Sequence, residues 1–181
     1  NIDTRVDSIA FDRDYRPYIS GGTFLDEGTT GPKAVLNVIN PNEGTQFAGI
    51  YAGDYWVERD YPVELNIRGE VLDGTVHTGG ITTPFNGDVV INIYSKTKVS
   101  TIDNSNHNGN YDVNVKENVT ILDAIFDGIR NLTLESGSKV YLKESNDFTL
   151  DNLTVNKDAL LDLTKVTGDI KVNGDFIGYD N

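Results

Sequence analysis

The 181-residue sequence contains no cysteine and no methionine. The lack of cysteine excludes disulfide bonds and thiol catalysis, and it fits a bacterial exported protein, in which a stray thiol is a liability. Because Asn1 stands where an initiator methionine would be, we interpret the sequence as a processed or excised segment of a longer protein. No run of about 20 apolar residues is present, so the sequence predicts no membrane-spanning helix, and no signal peptide is recognisable.

Positive charge is also scarce. The chain has 15 lysine and arginine residues against 28 aspartate and glutamate residues, which gives a formal net charge of -13. An acidic surface repels nucleic acid and anionic membranes, whereas it keeps extracellular proteins soluble and attracts cations. We therefore expect no nucleic-acid partner and no membrane insertion.

Helical signals are nearly absent as well. The one stretch that imitates a helix, residues 158–163, is too short to be convincing. The rest of the chain has runs rich in valine, isoleucine, threonine, tyrosine and phenylalanine, separated by glycine, asparagine and aspartate, a pattern typical of β-strands. The sequence therefore predicts an all-β protein.

A short strand phrase, in which apolar residues flank one polar residue, recurs at intervals of about 20–30 residues. Its polar positions are Asn37, Asn66, Asn92, Asn114, Thr133, Thr154 and Lys171. A second strand can be placed after each of the first six, at 47–51, 71–76, 98–102, 118–122, 139–142 and 159–163. This repetition predicts a right-handed parallel β-helix (a β-solenoid) of about seven coils, each rising by about 4.8 Å. Leu36, Ile91 and Val113 are expected in its core.

A β-sandwich is the alternative all-β fold. It would join paired antiparallel strands by tight turns such as Asn86-Gly87 or Asn108-Gly109. The strands around these turns do not form pairs of equal length, so the recurring phrase favours the solenoid.

We expect one β-solenoid domain over residues 1–181. Residues 1–20 are a candidate N-terminal cap, 21–85 would form coils with long loops, and 86–181 would form regular coils. Residues 174–179 look like the start of another coil rather than a cap, so we expect the coils to continue beyond Asn181.

The segments 18–24 and 76–80 each place Gly-Gly next to a predicted strand, and residues 65–69 and 91–94 have a similar sequence pattern. In this the chain resembles β-helical segments of Gram-positive cell-wall adhesins and, more distantly, autotransporter passengers. The resemblance implies an extracellular, cell-wall-associated location on a bacterium. It also implies attachment to host tissue, glycans or other microbes without catalysis.

The densest group of chemically active side chains lies in residues 51–61. The candidate ligand-binding residues are Tyr51, Asp54, Tyr55, Trp56, Glu58, Arg59, Asp60 and Tyr61. The aromatic rings could stack on sugar rings while the charged groups bind hydroxyls, and tryptophan, tyrosine and arginine are also preferred anchors of protein interfaces. We therefore expect a host glycan or an extracellular-matrix protein as the partner. The alternative interpretation is that Trp56 only packs a loop onto the rod.

Two other functions stay open. One is a structural stalk that spaces another domain. The other is a carbohydrate-active β-helix enzyme, a polysaccharide lyase or hydrolase, that would use Asp54, Glu58 and Asp60 beside Arg59. The two histidines, His77 and His107, stand in no ligand motif, and no nucleophile elbow, P-loop or dinucleotide fingerprint occurs. We expect no catalytic residue.

We expect no cofactor or metal, with Ca²⁺ as a minor alternative. Carboxylates that end or follow the second strand of successive coils could align in one column: Asp73, Asp103, Asp123, Glu144 and Asp162. Like charges about 4.8 Å apart would need cations or interleaved lysines between them. Counted from Asn104, the loop 103–112 opens like an EF-hand, but Val115 stands at the twelfth position, where the bidentate glutamate belongs, so we interpret it as a polar turn.

Overall fold

A computed structural model describes residues 18–20, 33–39, 46–47, 49–53, 58, 60–71, 74–94, 97–145 and 147–179. These residues contain eighteen β-strands and no helix. In chain order the strands are β1 (Tyr18–Ser20), β2 (Ala34–Ile39), β3 (Gln46–Phe47), β4 (Gly49–Tyr51), β5 (Val63–Arg68), β6 (Glu70–Val71), β7 (Thr75–His77), β8 (Val89–Ile93), β9 (Thr101–Asp103), β10 (Tyr111–Val115), β11 (Thr120–Phe126), β12 (Asn131–Leu134), β13 (Lys139–Leu142), β14 (Phe148–Leu150), β15 (Asn152–Val155), β16 (Leu160–Asp162), β17 (Ile170–Val172) and β18 (Phe176–Gly178).

The strands form two large sheets and two small ones. The first sheet has the order β1-β4-β7-β9-β11-β13-β16, and the second has the order β2-β5-β8-β10-β12-β15-β18. Strands β3 and β6 form one two-stranded sheet, and β14 and β17 form another. Every strand pairing is parallel, so the sandwich alternative is wrong.

The chain alternates between the two large sheets and makes a β-solenoid of about 5 turns. The predicted all-β solenoid is therefore confirmed, with slightly fewer turns than the expected seven. Its handedness stays a prediction, supported by the general right-handedness of parallel crossover connections.

The register of the second sheet confirms most of the predicted repeat. Its central positions pair in the order Asn37, Asn66, Asn92, Asn114, Thr133 and Thr154. The seventh predicted member is wrong, because Lys171 lies in β17 and pairs with Thr149. The residue that follows Thr154 in the sheet is Ile177 of β18. Lys171 stands between two apolar residues, as the polar residue of the repeated phrase does. The sequence pattern alone therefore did not show that β17 belongs to a different sheet.

A continuous apolar core lies between the sheets. Its inner strand positions alternate with outward polar ones, as in β5, where Val63, Leu65 and Ile67 are buried. The predicted core residues Leu36, Ile91 and Val113 are 8%, 0% and 0% exposed, which confirms them. Burial of such a continuous apolar column is the main force that stacks one turn on the next.

Glycine permits close stacking at one corner of the solenoid. A β-carbon added to Gly87 would lie 2.0 Å from the carbonyl oxygen of Tyr61, and one added to Gly109 would lie 2.5 Å from the carbonyl oxygen of Gly87. The Asn-Gly dipeptides 86–87 and 108–109 therefore mark stacked corners rather than the tight turns of hairpins.

Only residues 18–20 of the predicted cap are described, and they form β1, which pairs with β4 in the first sheet. Residues 1–17 of the predicted cap lie outside the described residues, as do most of the long loops expected before residue 60. In the part of the chain that the structure describes, no helix is long and apolar enough to cross a membrane.

Candidate functional site

The predicted ligand-binding residues divide into two groups. Four of them are described by the structure: Tyr51, Glu58, Asp60 and Tyr61. The other four lie outside the described residues: Asp54, Tyr55, Trp56 and Arg59. The structure therefore places the two ends of the predicted patch.

Tyr61 belongs to a row of rings that crosses successive turns. It is 3% exposed, and its ring meets that of Phe85 edge-on at 5.8 Å. Phe85 stacks on His107 at 5.7 Å, and His107 lies 6.5 Å from Tyr111. Tyr111 is 1% exposed and donates its hydroxyl hydrogen to the carbonyl oxygen of Asp127 at 2.6 Å. The ring of Tyr61 thus packs the interior of the corner, and its burial leaves no ring face for a sugar.

Above this row lies a polar surface that we call the acid–amide corner. Its residues are Glu58, Asp60, Asn86, Asp88, Asn108 and Asn110. Glu58 and Asp60 are exposed and lie next to Tyr61, whose carbonyl stacks over Gly87. The described end of the predicted patch therefore lies on the corner, where Glu58 bonds to Asn86 and the Tyr61 carbonyl lies against Gly87.

Side-chain hydrogen bonds join the corner from one turn to the next. Asn86 donates from Nδ2 to Oε1 of Glu58 at 2.6 Å, and Asn108 donates from Nδ2 to Oδ1 of Asn86 at 2.8 Å. Each bond uses only part of the hydrogen-bonding capacity of an amide, which has two donors and an acceptor oxygen with two lone pairs. Exposed donors and acceptors therefore repeat along the corner at the spacing of the turns, about 4.8 Å.

The charge of the corner is set by Asp88 and its partners. Burial acts to raise the pKa of Asp88, but hydrogen bonds from Asn110 and Arg130 together hold that pKa below its ordinary value. The guanidinium of Arg130 donates to Asp88 at 3.1 Å and makes a bidentate contact with Asp112 at 2.8 and 2.7 Å. Asp88 is therefore an ionised acceptor at neutral pH, held in place by a neighbouring turn.

His107 holds the backbone of the corner by a hydrogen bond. Its Nε2 donates to the carbonyl oxygen of Gly87 at 2.8 Å. Burial lowers the pKa of His107, and the carbonyl of Gly87 and the charge of Asp88 oppose this effect only in part. The ring is therefore neutral at physiological pH and serves as a fixed donor to the backbone of the corner.

A second polar group lies on the outer face of the first sheet. Tyr51, His77 and Asp103 occupy one register position on β4, β7 and β9. The rings of Tyr51 and His77 stack at 4.3 Å with an angle of 6° between their planes, and Nδ1 of His77 lies 2.8 Å from Oδ2 of Asp103. Tyr51 is thus held against a histidine of the next turn.

Sequence reasoning missed this pairing. His77 and Asp103 are 26 residues apart, the same separation as the matched pair Asn66 and Asn92. The spacing of the repeat could therefore have predicted this contact, since residues one period apart are neighbours in a solenoid.

The described carboxylates that could have aligned in one column do not share one register position. Asp103 follows His77 in register, Asp123 adopts a left-handed backbone conformation with φ of 52° and pairs with Lys165, and Asp162 lies opposite Tyr141. Asp73 lies outside the described residues. No group of three or more histidine, cysteine, aspartate or glutamate side chains among the described residues could hold a metal ion.

The loop 103–112 is a polar corner, as predicted. Asp103 accepts hydrogen bonds from the backbone N–H of Ser105 at 3.1 Å and from its hydroxyl. Burial acts to raise the pKa of Asp103, but these bonds and that with His77 hold it below its ordinary value. The Asp103 carboxylate thus accepts hydrogen bonds from its own turn and stabilises it.

Comparison of the chain with protein families, with curated proteins and with solved structures finds no match.

Proposed function

We propose that this protein is a non-catalytic adhesion domain of a bacterial cell surface that binds a glycan along the acid–amide corner. The observation that carries the proposal is the row of hydrogen-bonded side chains Glu58, Asn86 and Asn108, which repeats exposed carboxylate and amide groups over successive turns.

The chemistry of the corner suits a sugar better than an apolar ligand. Sugar hydroxyls both donate and accept, and the corner offers amide donors together with the acceptor oxygens of Glu58, Asp60 and Asp88. Because each amide is fixed by its neighbour and the ring of Phe85 packs beneath, little side-chain freedom is lost on binding.

The aromatic part of the proposed site comes from the predicted patch. Tyr51 and Tyr61 are engaged by His77 and Phe85, so sugar stacking is assigned to Tyr55 and Trp56. A host protein is a less suitable ligand for the described corner, since protein interfaces favour buried aromatic and arginine anchors.

A structural stalk is the second candidate. It is favoured by the burial of Tyr61 and by the regular stacking of the two large sheets, which suit a rigid spacer. A stalk has no need of a ligand, so a binding measurement separates the two functions.

The test is a glycan array probed with the purified domain, in calcium and in chelator, beside a set of matrix proteins. We expect binding to a restricted glycan class, weakened at least about tenfold by Asn108→Ala and by Trp56→Ala. Asn173→Ala is the matched control, because Asn173 is also an exposed asparagine before a glycine and donates to a carboxylate, that of Asp151, but is not one of the corner residues.

Equal binding by all three variants would place the glycan site elsewhere. Absence of any glycan ligand in both conditions would overturn the adhesin proposal and favour the stalk. Shortening of a bound polysaccharide would instead favour the enzyme alternative.

A further inference from the structure

Two adjoining clefts open on the side of the solenoid where the small sheet of β14 and β17 lies. Their volumes are about 430 and 400 Å³, and both are lined by Phe126, Asp127, Asp147 and Phe148. The shared residues make them parts of one surface, which we call the β14 cleft.

The cleft exists because successive turns differ in length. One turn passes from β11 to β12 through the short segment 127–130, where Gly128 has a φ of 69°. The next turn passes from β13 to β15 through residues 143–151 and has room for the extra strand β14. The shorter turn has no strand that could pair with β14, so a gap remains between segment 127–130 and β14.

One edge of β14 consequently faces the cleft. β14 and β17 form a two-stranded sheet, and no other strand of the described residues pairs with β14. Phe148 donates its N–H to Asp169 at 2.8 Å, and Leu150 accepts from the N–H of Asn173 at 2.9 Å, so both residues bond toward β17. Because successive residues of a strand direct their backbone groups to opposite edges, the N–H and C=O of Thr149 point to the other edge.

An open strand edge is a template for another extended chain. β14 is three residues long and has apolar side chains at Phe148 and Leu150 with exposed Thr149 between them. It would pair with about three residues of a partner, a span of about 10 Å.

The charges around the edge specify the chemistry of that partner. The lining contains five carboxylates: Asp103, Asp127, Glu144, Asp147 and Asp151. Its two basic residues are Lys143 and Arg130. Arg130 is already bound by Asp88 and Asp112, which leaves Lys143 against an excess of negative charge.

We infer that the β14 cleft binds an extended basic peptide segment of a partner protein, which adds a strand to the free edge of β14. The backbone of the peptide pairs with Thr149, and its lysine or arginine side chains meet Asp127, Asp147 and Asp151. The cleft adjoins the acid–amide corner at Asn110, which lines one of its two parts, but the inference does not depend on the proposed glycan function.

The test uses the whole chain and a labelled peptide of about six residues that alternates lysine and valine. We expect saturable binding by fluorescence anisotropy that weakens when sodium chloride is raised from about 0.1 M to about 1 M. Two peptides serve as controls. One replaces lysine by glutamate, and the other keeps the charge but carries N-methyl groups on alternate residues, which removes strand hydrogen bonds. Both should bind at least about tenfold more weakly.

Two variants at one position test the strand edge itself. Thr149→Pro removes the backbone N–H, which an edge strand tolerates, and we expect it to weaken peptide binding at least about tenfold. Thr149→Val keeps the backbone and should bind as the parent does. Asp127→Asn should also weaken binding, whereas Asp158→Asn, at a turn that does not line the cleft, should not.

Equal binding of the N-methylated and parent peptides would overturn the proposal, because it would show attraction by charge alone. This comparison needs no variant, so it decides the matter even if Thr149→Pro fails to fold. No saturable binding of the lysine peptide at low salt would overturn the proposal as well.

Discussion

At the scale of single residues, amide side chains hold successive turns together. Asn66 donates to Asn37 at 3.0 Å, Asn92 donates to Asn66 at 2.8 Å and Asn114 donates to Asn92 at 2.9 Å. A second ladder runs from Asp112 through Asn131 to Asn152, with bonds of 2.8 and 2.6 Å. Parallel, in-register strands bring identical side chains close enough for such ladders.

Asn92 is the member whose loss should cost most. It is 7% exposed, donates to Asn66 and accepts from Asn114. We expect Asn92→Ala to lower the free energy of unfolding by about 1–3 kcal/mol, because the part-buried amide groups of Asn66 and Asn114 lose their partner. Urea denaturation followed by circular dichroism measures this.

Thr154→Ala is the matched control. Thr154 lies at the corresponding position of β15 but outside the asparagine ladder, so its change should alter the unfolding free energy by about 0.5 kcal/mol or less. Similar effects for both variants would show that the ladder contributes little beyond strand propensity.

At the scale of the strand, alternation decides which face is buried. In β12, Leu132 and Leu134 are 1% and 0% exposed, whereas Thr133 between them points outward and is half-buried. The period of two residues follows from the pleat of a strand, so a sequence pattern of this kind predicts both the strand and its inner face.

Ile91 tests the inner face directly. It is fully buried in β8, and Ile91→Asp would place an unpaired charge in the core. We expect a loss of more than about 4 kcal/mol, enough to unfold the solenoid or nearly so. Thermal unfolding measures the result.

Two substitutions show whether that loss comes from buried charge. Ile91→Val should cost about 0.5–1.5 kcal/mol. Thr133→Asp introduces the same charge on an outward position and should be tolerated. If Ile91→Asp melted within a few degrees of the parent, the assigned register would be wrong.

At the scale of the whole molecule, the acidic charge makes stability depend on pH. The side chain of Lys33 lowers the pKa of Glu64, while for Asp88 and Asp103 hydrogen bonds outweigh the opposing effect of burial. A carboxylate with a lowered pKa in the folded state contributes stability above its unfolded pKa, about 4, and loses it as the pH falls toward the folded value.

His107 should add a separate pH dependence at higher pH. Because burial lowers its pKa in the folded state, the unfolded chain binds the proton more readily, and stability falls as the pH drops below about 6.5. We expect the urea midpoint to decrease from pH 7.5 to pH 5.5, two conditions roughly one unit either side of that value, and to decrease further below about pH 4.

The variant His107→Gln distinguishes the two contributions. Glutamine can still donate to the carbonyl of Gly87 but does not titrate, so the change between neutral pH and about pH 5 should flatten while the change below about pH 4 remains. An unchanged slope above about pH 5 in this variant would assign that slope to groups other than His107.

The sequence by itself determined the fold class and most of the register. Apolar residues at a period of two specified the strands, and the repeat from Asn37 to Thr154 specified which strands stack, because each turn must bury the same inner positions as the last. In the sequence, the Asn-Gly dipeptides at 86–87 and 108–109 indicate only the hairpin turns of a sandwich, and the structure shows them as stacked corners.

Only the tertiary structure decided which side chains meet across turns. It placed Lys171 in a separate small sheet, paired His77 with Asp103, and buried Tyr61 beneath the corner that it was expected to line. Turns of unequal length change which residues stack at the corners, and the extra strand β14 with its free edge arises from such a difference. Local pattern describes one turn, whereas these contacts depend on the relative lengths of neighbouring turns, which become neighbours in space only when the solenoid has closed its core.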